Sequence, residues 1–392
     1  MSRTTLPLDI LIFIIDLLAR GDRDVNTIQI LSQTCKFMVP LCRKHLFSSL
    51  DLRSMFRAER FSDLLSKNPD IACYLRILNF YVDTPIADHE RDILEILKNK
   101  CTNLRSITLS STGNWNDLPE SIRSCLIFLI QLPTITRLSI GSFKTFPANE
   151  LSRCSNLIHL QLHSWLQMAP PKANQIMSHS KIPTPASLTV DSRTYGGLAI
   201  LLDSASSHAG GPIVDFSHLQ GASFMADSPG DISHINKLLE VTTGLAHLDL
   251  DLVRPVQLTG LGASLASNAY RSLKYMNLRI FAYSKEEEED SFYPLCGLNR
   301  ELRSLAGNNV LEELELDVFA QSKPYQRDPS EDWSAFDSVL TESGMFPLLH
   351  QVSVEISWST ERFGSHEQHL IGCEFPRLME SRVVVRGIFP FC

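Results

Sequence analysis

Leu245-Ala246-His247-Leu248-Asp249-Leu250 and, 28 residues later, Leu273-Lys274-Tyr275-Met276-Asn277-Leu278 are two copies of one pattern, apolar-x-x-apolar-x-apolar. Its closing alternation is that of a strand with one buried and one solvated face. Earlier copies are Leu75/Leu78/Phe80, Leu104/Ile107/Leu109, Ile135/Leu138/Ile140 and Leu157/Leu160/Leu162; later ones are Leu311/Leu314/Leu316 and Leu349/Val352/Val354. Successive starts lie 29, 31, 22, 88, 28, 38 and 38 residues apart. The interval of 88 is close to three repeat lengths, and Leu188/Val190 and Val214/Phe216 are the weaker copies expected within it. A last degenerate copy is expected from Leu378, with Val383 and Val385.

Helical periodicity fills several of the gaps. Asp231 to Thr242 places Ile232, Ile235, Leu238 and Leu239 on one face, and Ser291 to Ala306 does the same with Leu295, Leu298, Leu302 and Leu305. Ser121 to Leu132 carries Ile122, Cys125, Leu126 and Leu129. One strand and one helix per repeat of roughly 20–30 residues is the signature of a leucine-rich repeat solenoid. Two copies share a lead-in, Cys101-Thr102-Asn103-Leu104 and Cys154-Ser155-Asn156-Leu157, whose cysteines read as small apolar packers. Loops are expected over Ala169–Pro185, Ser204–Pro212, the acidic run Lys285–Asp290, and Gln321–Asp332.

The first fifty residues follow a different rule. Ile10, Ile14 and Leu17 share one helix face and Leu11, Ile15 and Leu18 the next, so this helix must be covered on every side. Ile28, Ile30, Leu31, Phe37, Leu41 and Leu46 can cover one of those faces. A unit of this size cannot cover the other, which implies a partner protein. The residues Leu6-Pro7-Leu8-Asp9-Ile10, then Ile14, Leu17 and Leu18, then Asp24-Val25, Leu31 to Phe37 and Arg43 to Leu50 resemble an F-box, closest to the F-box-like modules of fungal proteins. Asp9 stands where that family often has Glu, and Phe37 where it often has Trp. The resemblance implies docking onto the Skp adaptor and through it a cullin-RING ubiquitin ligase. Leu6, Pro7, Ile10, Ile14, Leu17 and Phe37 are then the expected adaptor contacts. The expected architecture is α/β, a short all-α module over residues 1–50 followed by the solenoid, a curved parallel sheet with outer helices, over 51–392.

Composition excludes several classes. A net charge of −8 and a pI near 5.8 argue against nucleic acid as a partner. The first sixty residues hold 9 Lys and Arg against 6 Asp and Glu, and the remainder 27 against 38. Nine scattered cysteines, never spaced Cys-x-x-Cys, do not make a disulfide framework, and no glycosylation sequon occurs. Both facts point to an intracellular setting, in cytoplasm or nucleus. The run Ile10–Ile15 is six residues between Asp9 and Asp16, too short for a membrane span.

No catalytic constellation emerges. Gly262-Ala263-Ser264-Leu265-Ala266 has Ala in the last place of a nucleophile elbow and sits in a helical stretch. His366, His369 and Cys373 have the spacing of a partial zinc site without a fourth ligand. The chain is expected to be non-catalytic, without metal or cofactor. Recognition would instead fall to the outward strand positions of the concave face: His247, Asp249 and Asp251; Tyr275, Asn277 and Arg279; Glu313, Glu315 and Asp317. Their acidity suits a basic segment of an unknown target protein.

Overall fold

The computed structural model describes residues 7–19, 25–34, 36–52, 55–82, 86–171, 181–206, 212–283, 295–321, 330–359, 375–380 and 384–388. The chain forms two compact units, Met1–Leu157 and Ile158–Cys392.

The first unit begins with three short helices, α1 (Leu8–Leu18), α2 (Val25–Thr34) and α3 (Met38–Leu46). Pro7 stands at the N-cap of α1, where its missing N–H costs nothing. Ile15, Ile28, Met38 and Cys42 form the module's core, with Leu18, Ala19, Leu31, Leu41 and Leu46 packed around it. Asp16 ties α1 to α3, with its Oδ1 2.6 Å from Lys44 Nζ and 2.9 Å from His45 Nε2.

Strands β1 (Ser49–Asp51), β2 (Ile77–Val82), β3 (Ser106–Ser111) and β4 (Arg137–Gly141) follow in a parallel sheet whose order is the chain order. The register sets Leu50, Leu78, Ile107 and Leu138 abreast, all buried. Helices α4 (Met55–Lys67), α5 (Asp88–Lys100) and α6 (Glu120–Ile130) pack in series, each on the next. The expected boundary at residue 50 thus falls inside a strand. Phe47-x-x-Leu50-x-Leu52 is itself a copy of the repeat pattern, joined to the end of the helical module.

In the second unit β5 (His159–His163), β6 (Ser187–Val190), β7 (Gly221–Ala226), β8 (His247–Leu252), β9 (Tyr275–Tyr283), β10 (Glu313–Gln321), β11 (Gln351–Ser359) and β12 (Val384–Ile388) are again parallel and in chain order. Leu160, Leu188, Ala222, Leu248, Met276, Leu314, Val352 and Val385 hold equivalent register positions. Helices α7 (Tyr195–Ser206), α8 (Pro229–Val241), α9 (Leu261–Ser267), α10 (Leu298–Leu305), α11 (Ser330–Thr341) and α12 (Pro376–Glu380) pack one on the next. Parallel strands in strict chain order, joined by returning helices and carrying the apolar-x-x-apolar-x-apolar repeat, make this an α/β fold of the leucine-rich repeat type.

Three expectations need correction. The helix expected over Ser291–Ala306 is observed as Leu298–Leu305, with the buried Leu295 ahead of it in a turn. Val214 and Phe216 are buried but lie outside any strand; the strand of that repeat is β7, five residues further on. Its inward residues are Ala222, Phe224 and Ala226, and two alanines make a weak apolar signal. Leu378 lies in α12 and not in a strand, while Val385 lies in β12, in register with Val352; Val383 lies outside the described residues.

Polar groups tie each repeat to the one before. The carbonyl just ahead of a strand accepts two successive N–H groups of the next repeat: Ala246 O takes Lys274 N and Tyr275 N, both at 3.0 Å, and Lys274 O takes Glu312 N at 2.8 Å and Glu313 N at 3.0 Å. The Cys-x-Asn lead-in adds side chains to this scheme. Asn103 Nδ2 donates to Cys73 O at 2.7 Å and Asn156 Nδ2 to Pro133 O at 2.8 Å. Burial pushes the Cys101 thiol up to about 11 and the Cys154 thiol up to about 12. Both therefore stay protonated, and Cys154 Sγ donates to Ile130 O at 3.4 Å. Further along, buried Asp337 on α11 accepts the N–H groups of Arg377 at 3.0 Å and Leu378 at 2.7 Å, capping α12.

Candidate protein-recognition surfaces

The first surface belongs to α1. Only Ile15 of its apolar side chains is fully buried, because α2 and α3 approach from one side. Leu8, Ile10, Phe13, Ile14 and Leu17 are exposed, Phe13 by 62%. Ile30 on α2 and Phe37 at the start of α3 are exposed as well, by 63% and 53%. Of the expected adaptor contacts, Pro7, Ile10, Ile14, Leu17 and Phe37 are therefore all accessible, and Leu6 lies outside the described residues. Leu8, Phe13 and Ile30 were not among those expected. With apolar residues on nearly every side of α1, the sequence does not single these three out, and the tertiary packing does. Fully burying each such side chain is worth about 1.5–3 kcal/mol.

The second surface is the open face of β8–β11, opposite the buried leucines. The register arranges its side chains in three rows. His247, Tyr275, Glu313 and Gln351 form the first; Asp249, Asn277, Glu315 and Ser353 the second; Asp251, Arg279, Asp317 and Glu355 the third. All nine outward positions expected to face a target lie here. Tyr275 Oη donates to Glu315 Oε2 at 2.5 Å, reaching across from the first row to the second. Burial and that carboxylate both push the Tyr275 phenol well up, so it remains a donor. Arg279 lies between two carboxylates, 3.6 Å from Asp251 and 3.3 Å from Asp317. The Asp251 charge, chiefly, raises the guanidinium further, while partial burial raises the Asp251 carboxyl against the pull of Arg279. Six carboxylates against one Arg leave the face with a formal charge of 1 − 6 = −5. Asn277, 7% exposed, is at its centre, with a buried Oδ1 that has no hydrogen-bond donor among the described residues.

A third feature gave no sequence signal. Ser164, Trp165 and Arg193 have φ of 48°, 62° and 66°, the left-handed region, in the two loops that follow β5 and β6. That conformation costs an L-residue about 1–2 kcal/mol, and a bulky one rarely adopts it. Beneath them burial pushes the His163 imidazole down and the Asp191 carboxyl up, while the charge of each partly offsets the other's shift.

Possible catalytic features disperse. Gly262–Ala266 is helix α9, with Ser264 buried 3.4 Å from Glu240 Oε1 and no strand leading into a sharp turn. Burial pushes Cys296 up to about 12. Among the described residues no group of three or more His, Cys, Asp and Glu is placed to hold a metal ion; His366, His369 and Cys373 lie outside them. No described helix is long and apolar enough to cross a membrane.

No family model matches the chain, and no curated protein does. Among solved structures, an internalin from Listeria monocytogenes is similar at 12% identity, over 87% of this chain and 96% of that one, with a TM-score of 0.27.

Proposed function

We propose that this chain is a protein-recognition subunit of an SCF-type ubiquitin ligase. In this reading α1 to α3 dock onto the Skp adaptor and through it a cullin-RING ligase, while the open strand face holds a target by a basic segment. The chain supplies no catalytic group, and ubiquitin transfer follows from proximity within the assembly. It acts inside the cell, in cytoplasm or nucleus. The observation that carries the reading is the apolar flank of α1, with Ile10, Ile14 and Leu17 each at least 40% exposed beside a core built by their neighbours.

A second reading, a repeat scaffold that binds a partner without ubiquitin transfer, has its own observation. α3 leads directly into β1, the edge strand of the first unit's sheet, so the helices also serve as a cap.

A pull-down of purified Skp adaptor by the full chain separates the two. Wild type should retain the adaptor, and the double variant Ile10→Asp/Ile14→Asp should lose it with its circular dichroism unchanged, since both side chains are exposed. Failure of wild type to retain the adaptor removes the ligase reading and leaves the scaffold. The strand face is tested with fluorescent octalysine. Changing Glu313, Glu315 and Asp317 to Ser should weaken its binding at least tenfold and flatten its salt dependence. Unchanged binding would assign the acidic face no role in capture.

A further inference from the structure

We infer that the cleft at the C-terminal ends of β5 to β8 is a second recognition site, one that takes an apolar side chain and a carboxylate carried close together on a peptide. The cleft, about 240 Å³, is lined by Ser164 and Trp165 after β5, Asp191 to Arg193 after β6, Met225 and Asp227 around the end of β7, and Val253 and Arg254 after β8. That volume suits one side chain and its neighbour, not a folded surface.

The apolar half of the site is Trp165 with Met225. Trp165 is 61% exposed and Met225 36%, so two of the large exposed hydrophobic residues of this unit meet in one cleft. Three residues in left-handed backbone conformations cluster in its walls, and such strain persists where the surrounding structure enforces it for a purpose. Arg193 fixes the indole. Its guanidinium carbon lies 4.2 Å from the ring centroid and its Nε 3.3 Å from Asp227 Oδ2. One face of the ring is thereby occupied by a cation from within the chain.

The polar half follows from what each charge already holds. Asp227 is paired with Arg193, and Asp191 accepts the backbone N–H of Ser164 and faces His163. Arg254 is exposed and has no ion pair or hydrogen bond among the described residues. The one charge of the cleft without a partner among the described residues is thus a guanidinium, whose planar fork matches a carboxylate. Indole and thioether together favour an aromatic or aliphatic neighbour. This specificity is the reverse of that of the acidic strand face, so the two sites select different segments.

The test is a selection of displayed random heptapeptides on the immobilised full chain. Wild type should enrich peptides with Asp or Glu within two positions of an aromatic or aliphatic residue. Trp165→Ala should reduce that enrichment at least tenfold, and Arg254→Glu should replace the acidic preference by Lys or Arg at the same place. Both side chains are exposed, so unaltered thermal unfolding is expected of each variant. The triple Ser variant of Glu313, Glu315 and Asp317 should keep the acidic-apolar enrichment, which separates this site from the strand face and from adaptor binding. The inference is overturned if wild type enriches no acidic-apolar pattern, or if Trp165→Ala and Arg254→Glu both enrich the same peptides as wild type.

Discussion

Helices α1 and α6 are each 11 residues long and each rich in apolar side chains, yet they end in opposite states. α6 buries Ile122, Cys125, Leu126, Leu129 and Ile130, whereas α1 fully buries Ile15 alone. The difference lies in the neighbours. α6 packs beside α5 in a unit where each strand adds a buried row, and its exposed Phe128 is crossed by Lys98, with Nζ 5.9 Å from the ring centroid. α1 has two short helices on one side. Apolar content therefore states a demand for burial, and how far the surrounding elements cover the helix decides whether the chain meets it alone. Where it does not, apolar surface is left exposed, as on the outer face of α1.

That contrast can be broken most directly by comparing Leu278→Ala with Ile14→Ala. Leu278 is fully buried in the middle of β9, so truncation should cost about 2–5 kcal/mol. Ile14 is 40% exposed and should cost no more than about 0.5 kcal/mol. Urea unfolding of the two variants measures both. Equal losses would mean that the outer face of α1 is packed within the chain itself, and the contrast would fail. The next largest effect is expected where repeats meet most closely. A Cβ on Gly262 would lie 2.0 Å from the carbonyl oxygen of Glu301, whose Oε2 also accepts the Gly262 N–H at 3.0 Å. Backbone cannot yield as a flexible side chain can, so Gly262→Ala should lose about 1–3 kcal/mol. A neutral Gly262→Ala would show the α9–α10 contact to be looser than that geometry.

How much of this was legible depends on where the information resides. Leu248, Met276, Leu314 and Val352 were readable as strand positions because burial on one face imposes a period of two, and register then aligned them. The same register placed Arg279 between Asp251 and Asp317, so the candidate acidic face followed from the strands. Ala222 and Ala226 hid β7, since small residues satisfy a tight inward position without raising hydrophobicity. β1 was obscured for another reason: Phe47, Leu50 and Leu52 fit both the end of an F-box-like module and the repeat. The cleft around Trp165 was illegible. It depends on backbone conformations at Ser164, Trp165 and Arg193 that no composition rule favours, and on loops from separate repeats coming together.

The smallest expected effect sharpens the same comparison, because it concerns how α1 is held at all. With only Ile15 fully buried, the helix also relies on Asp16 and its contacts with Lys44 and His45. The Lys44 hydrogen bond, foremost, and the His45 contact hold the Asp16 carboxyl below its usual value despite some opposing desolvation. A carboxylate with a depressed folded pKa binds its proton more readily unfolded. Its contribution is therefore present in full above the unfolded value of about 3.9 and disappears as pH falls through the folded one. Asp16 is 40% exposed and Lys44 32%, so solvent screening limits the term to less than about 1 kcal/mol. Asp16→Asn should accordingly lower stability slightly at neutral pH, and the difference from wild type should shrink as pH falls below the ordinary carboxylate range. Leu278→Ala should retain its deficit across the same range, since no proton is linked to an apolar cavity. A deficit of Asp16→Asn that persisted in acid would mean that α1 is held by packing in the manner of the repeats, and not by charge.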